Sequence, residues 1–359
     1  MIDFRYHLVS LISVFLALAV GIALGAGPLE QTIGDSLTGQ VDQLRVEKEE
    51  LRAELDEQAA ATSDLQAFAG AAGPRLVAGA LEGRRVAVVA LGEVDGERLA
   101  AIRAGLEAAG AGLTAQVTLT PAWTDPEQRS YRQALAGTLV QYLRPAPAAD
   151  AGPAAELATA LVQGLTRPDV AGTDALAADG RLLLELLSTG DTPLLSLGEP
   201  VEAPADAVVV VQPVAPEVAT EEEGTAAPAA EATEAAVAIV RAAGTDAEGG
   251  VLADGPGGAD SLTAAVLADG DLADDVTTVT GTEGVVGTTV LPLALAADIG
   301  GTVGHYGEGA EDPSALPPVV ALDPPDRAGR AAAAAAAAAA PATDAAGTAG
   351  DAAAGGTEG

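Results

Sequence analysis

Three short segments carry side chains whose types and spacing could do chemistry. The first, Asp254-Gly255-Pro256-Gly257-Gly258, follows the apolar run Val251-Leu252-Ala253 and precedes a helical pattern. Glycines in a strand-to-helix turn let backbone N–H groups approach a phosphate at the helix N-terminus. This segment matches neither a Walker A nor a dinucleotide fingerprint and lacks the P-loop lysine. Asp254 and Asp260 would also repel an anion, so an ordinary tight β–α turn is expected. The second is the acidic group Asp269, Asp271, Asp274 and Asp275, which could attract a hard cation. An EF-hand loop begun at Asp269 would need an oxygen ligand at Ala273, glycine at Asp274 and glutamate at Thr280. All three fail, and a solvated acidic loop is expected. The third is Gly304-His305-Tyr306-Gly307, where glycines imply a tight turn and the imidazole could bind a metal or move a proton. A structural role is the favoured reading of His305. No Ser–His–Asp arrangement or carboxylate pair stands out, so no catalytic, cofactor-binding or metal-ligating residue is assigned and the chain is read as no enzyme.

The elements that hold these segments begin with an anchor and a stalk. Leu8 to Ala26 is an uncharged apolar run of 19 residues, close to the roughly 20 that span a bilayer as a helix. Arg5 precedes it, the next cation is Arg45, and Glu30 and Asp35 intervene. The positive-inside rule then predicts a single-pass protein of the cell membrane, residues 1–7 cytoplasmic and the remainder exported. His7 and His305 would lie on opposite sides of the bilayer. A cleaved secretory signal, with Ala23 and Gly25 before the cut, is the alternative; both export the rest. Ala17, Gly21 and Gly25 form a small-xxx-small face that lets membrane helices approach closely. Leu37, Val41, Leu44, Lys48, Leu51, Leu55, Gln58, Thr62 and Leu65 then alternate by four and three, the spacing of a and d positions. A coiled-coil stalk over residues 34–68 is expected, closed by Gly70 to Pro74. Lys48 would be a polar a position, and Glu47 at g would face Arg52 at the following e position of a parallel partner. The alternative is a single amphipathic helix. The expected partners are the membrane and further copies of the chain through Ala17, Gly21, Gly25 and the heptad residues.

Beyond the stalk the pattern alternates between strands and helices. Val86–Leu91, Leu113–Leu119, Pro193–Leu197, Ala207–Gln212, Gly250–Ala253 and Val276–Val279 read as strands. Helical spacing covers Glu97–Ala109, Tyr131–Leu143, Ala154–Leu165, Ala175–Ser188, Glu231–Ala243, Ser261–Leu267 and Val285–Ile299, the last kinked or divided by Pro292. The prediction is an exported, mainly parallel α/β domain over 74–308, its sheet covered by helices on both faces. Residues 213–230 form an acidic insert, and 309–359 a Pro- and Ala-rich tail, disordered or marginally helical, with no site. Across 359 residues there are 52 acidic against 17 basic side chains, a net charge of −35. Such a balance excludes nucleic-acid binding, which needs clustered cations. There is no cysteine, and Met1 is the sole methionine.

The opening MIDFRYHLVSLISVFLALAVGIALGAGPL, the heptad segment after it, the GRRVAVVAL strand and the late LALAADIGGTVGHYG segment resemble the actinobacterial copper transport outer-membrane protein family (MctB-like), over about residues 1–318. The resemblance implies an oligomeric cell-envelope protein of copper transport or homeostasis, with copper as transported ion and no resident cofactor. The residues qualify that implication. Copper(I) prefers thiolate and thioether, copper(II) imidazole, and a dedicated site is not expected here. An outer-membrane pore would need ~10-residue alternating strands with aromatic girdles, and neither is found. Three readings follow: a copper-homeostasis component acting through an assembly, a membrane-anchored scaffold that binds an envelope protein, or a ligand-binding or hydrolytic exported domain.

Overall fold

A computed structural model describes residues 4–25, 28–148, 150–214, 226–259, 261–307 and 316–339. The chain divides into two units, Met1–Phe68 and Ala69–Gly359.

The first unit is helical. Helix α1 spans Phe4–Gly25, and α2 spans Pro28–Val77. Every described side chain of Phe4–Leu24 is uncovered, and the segment is long and apolar enough to cross a bilayer. In α2, i,i+3 and i,i+4 polar pairs (Arg45–Asp42, Gln43–Glu47, Gln58–Glu54) support the helix along its surface. The sequence places the end of this helix at Gly70–Pro74, but it continues to Val77 with Pro74 inside it. Its last turns belong to the second unit, and the glycines there serve packing rather than termination. A Cβ on Gly73 would lie 2.7 Å from Thr289 Oγ1, and one on Gly70 3.8 Å from Val285 Cγ2.

The second unit is an α/β sandwich. In chain order it holds β1 (Arg85–Ala90), α3 (Gly96–Ala108), β2 (Gly112–Leu119), α4 (Arg129–Leu139), α5 (Gly152–Thr166), α6 (Ala178–Ser188), β3 (Leu195–Leu197) and β4 (Ala207–Val211). There follow α7 (Ala226–Asp246), β5 (Gly249–Ala253), α8 (Leu262–Leu267), α9 (Gly270–Asp275), β6 (Thr277–Val279), α10 (Val285–Ile299), β7 (His305–Tyr306) and α11 (Arg327–Ala339). Among the described residues these strands form one sheet of order β3-β2-β1-β4-β5-β6-β7. All pairings are parallel except β2–β3, which is antiparallel at the edge. The strand order reverses between β1 and β4, the switch point of a doubly wound sheet.

Strands β1, β4 and β5 are apolar because they are buried on both faces. Ala87, Val89, Val208, Val210 and Leu252 face one core with α4 to α9, while Val86, Val88, Val209, Val211 and Val251 face the other with α3 and α10. This is the period-two alternation of a pleated strand.

Several expectations change. The acidic loop at 269–275 is the short helix α9, because the Asp269 carboxylate caps it by accepting from Asp271 N and Leu272 N. Helix α10 is not divided at Pro292. Proline leaves the carbonyl four residues back without its usual donor, and that carbonyl, Thr288 O, lies against Gly105 of α3, where a Cβ would come within 2.8 Å of it. Helix α7 begins at Ala226, inside the expected insert; residues 215–225 of that insert lie outside the described part. The tail holds α11 and packs through Ala331, which is 2% exposed. Residues 340–359 lie outside the described part.

Candidate functional site

The carboxyl ends of the parallel strands are where this architecture places ligands, and the sequence-flagged turn lies there. Asp254 follows β5 and is 3% exposed. Its carboxylate accepts Gly255 N at 2.8 Å, Thr263 N at 2.8 Å and the Thr263 hydroxyl at 2.9 Å. Ser261 caps the same helix by accepting Ala264 N. The α8 N-terminus therefore carries its own anion, and the Gly-rich segment makes an ordinary β–α turn. Asp260 lies outside the described residues.

Beside this turn an arginine ties the strand ends together. The Asp95 carboxylate caps α3 by accepting from Glu97 N and Arg98 N. Arg98 then heads the helix's inward row with Ile102 and Leu106 and is 6% exposed. It donates to Gln212 O at 2.7 Å, Ala253 O at 3.3 Å and Thr282 Oγ1 at 2.6 Å. Thr282 in turn donates its hydroxyl to Asp254 O at 2.6 Å. One guanidinium thus joins the ends of β4 and β5 to the loop entering α10. Burial lowers its pKa, opposed by the charges of Glu283 and Asp254. Reading for chemistry passed over Arg98; its place in the row 98, 102, 106 was the available signal.

His305 pairs through both ring nitrogens: Nε2 lies 3.1 Å from Ala273 O, and Nδ1 3.1 Å from Thr278 Oγ1. A carbonyl only accepts, so Nε2 carries the proton and Nδ1 accepts from the threonine hydroxyl. Burial lowers the His305 pKa, opposed by the Ala273 carbonyl and by Asp274. Neither nitrogen is free to ligate a metal without losing a bond. Among the described residues no group of three or more His, Asp or Glu side chains is placed to hold a metal ion.

Two clefts open at these strand ends. The smaller, about 240 Å³, is lined by Gly257, Gly258, Thr263, Thr280, His305 and Tyr306. It brings together two segments singled out separately in the sequence. The larger, about 570 Å³, lies at the ends of β1, β2 and β4 between Leu91, Leu119, Trp123, Gln212, Ser261 and Leu262. Its walls suit burial of an apolar group and supply no nucleophile paired with a base.

The candidate association residues lie in the other unit. Val41, Leu44, Leu51, Leu55 and Leu65 are 46–69% exposed in the single chain. Gly21 has nothing near its Cβ position, and Ala17 and Lys48 are exposed. The side chain of Leu37 and the surroundings of Gly25 lie outside the described part.

Comparison with known proteins gives a consistent result. The family described as "Copper transport outer membrane protein, MctB" matches residues 1–317. Proteins named "Copper transporter MctB" from Mycobacterium bovis and from two strains of Mycobacterium tuberculosis are 31% identical over 328 residues, covering 86% of this chain and 97% of theirs.

Proposed function

Because the chain belongs to the MctB family of copper transport outer membrane proteins, we propose that it is a membrane-anchored envelope protein of copper transport or homeostasis, non-enzymatic and active as an oligomer. The observation that carries this reading is the family relationship, which spans residues 1–317. Helix α1 supports the anchor: its uncovered apolar surface costs roughly 25 cal/mol per Å² in water, and lipid removes that cost. The uncovered heptad row supports the stalk, since a second copy would bury Leu44, Leu51, Leu55 and Leu65.

Copper is read here as cargo, and the donor chemistry argues for indirect handling. The chain has no cysteine, His305 is spent on two internal bonds, and Asp254 and Asp269 are spent on helix caps. An exported domain that organises other envelope proteins is the second reading, favoured by the same observation.

Deletion of the gene in its own host, with growth and cell-associated copper measured across a copper series, tests the proposal. Copper-sensitive growth, restored by the full chain and not by Leu51→Glu/Leu55→Glu, is expected. Unchanged copper handling would sink the first reading, and an envelope protein that co-purifies with the full chain would then favour the second.

A further inference from the structure

The amino ends of the strands hold a charge cluster that none of the above uses. Asp206, just before β4, is completely buried. It accepts Arg85 N at 2.8 Å from the neighbouring strand. Its other partners come from the tail: Arg327 donates Nη2 at 2.6 Å and Nε at 3.0 Å, and Arg330 Nη2 completes the set. Glu248, just before β5, pairs with Arg84 at 3.0 Å and with Arg330 Nε at 3.3 Å. Arg327 Nη2 also reaches Gly83 O at 2.8 Å, on the segment that leads from α2 into β1.

The tail is suited to this place. Arg327 and Arg330 are the only Lys or Arg residues after Arg241. Three apart on a helix, they share a face. The Asp326 carboxylate accepts Gly329 N at 2.7 Å and so starts that helix. Upstream, Leu322 packs on the α3–α10 core, and Val320 covers Gly300, whose Cβ would lie 2.6 Å from Val320 Cγ1. Without the tail, Asp206 would be left with the Arg85 N–H and Glu248 with Arg84, an excess of negative charge at a buried edge. The family match ends at residue 317, before either arginine.

We propose that the amino edge of the sheet is an acidic docking socket for an Arg-x-x-Arg helix, occupied in cis by this chain's own residues 316–339. The tail is then a docked module that clamps the junction between α2 and β1, rather than an appendage. The test uses the full chain with a specific protease site placed within residues 308–315, cut, and followed by size exclusion. The tail fragment is expected to stay bound in about 0.1 M salt and to leave about 100-fold faster when Arg327→Ala/Arg330→Ala removes the charges from a buried partner. Hydrogen exchange on the uncut double variant should rise over residues 78–85 and 316–336 while β4 and β5 stay protected. Immediate release of the unaltered fragment, or equal retention of the variant, would overturn the socket. Exposure of the whole sheet in the variant would overturn it too, since the tail would then be part of the core. Dimers linked by exchanged tails would overturn cis occupancy.

Discussion

Arg98→Ala examines the strand-end architecture most directly. The side chain is 6% exposed and makes three hydrogen bonds to groups on β4, β5 and the α10 entry. Alanine leaves Gln212 O and Ala253 O without that donor and opens a void among Asp254, Thr282 and Glu283. A charged hydrogen bond is worth about 1.5–3 kcal/mol, and losing one partner of a buried charged network costs about 3–5 kcal/mol, so about 4 kcal/mol is expected here. At roughly 2–4 °C per kcal/mol for a domain of this size, the midpoint should fall by about 10 °C. Trp123 is the sole tryptophan and is 3% exposed, so its fluorescence follows unfolding of this unit in the intact chain. Arg98→Lys keeps the charge but not the fork, and should recover less than half the loss. Arg103→Ala, an exposed side chain with a 3.4 Å bond to half-buried Gln116, should stay within about 0.5 kcal/mol of wild type. A midpoint for Arg98→Ala within about 2 °C of Arg103→Ala would refute the idea that this guanidinium holds the strand ends.

Three other outcomes follow from the same reasoning. The folded His305 pKa lies below its ordinary value, so the unfolded chain binds the extra proton first; His305-linked stability is complete above about pH 6.5 and is lost as pH falls through that value. Thermal unfolding from pH 7.5 to 5 should therefore show a wild-type advantage over His305→Gln that shrinks with acid, and a constant difference would contradict the burial argument. Gly250→Ala should cost about 1–3 kcal/mol in urea titrations, because its Cβ would sit 2.6 Å from Ala243 C and 2.7 Å from Gly244 N, while Gly137→Ala on open α4 surface should gain about 0.5–1 kcal/mol. Leu51→Ala should weaken self-association of the detergent-solubilised chain about 100-fold by sedimentation, from roughly 1.5 kcal/mol in each of two copies; an unaltered dissociation constant would remove the stalk interface.

What the sequence determined by itself was whatever local periodicity records. The apolar run at 8–26 and the heptads from Leu37 each record a helix with an uncovered apolar surface, and the alternation of apolar runs with helical spacing records elements that meet across a sheet face. That was enough for an α/β class and nearly all strand positions. Strand order, the antiparallel β3, the two-residue β7 and the switch between β1 and β4 depend on pairings across scores of residues, which no local window contains. The same limit explains the sites. His305 could be noticed from its rarity, but the Ala273 carbonyl and Thr278 hydroxyl that occupy it are set by where β7 falls. Nothing in the sequence singles out Asp206 or Arg327, which lie 121 positions apart. Only the folded chain brings them together, where a carboxylate shut away from water requires cations that the tail supplies.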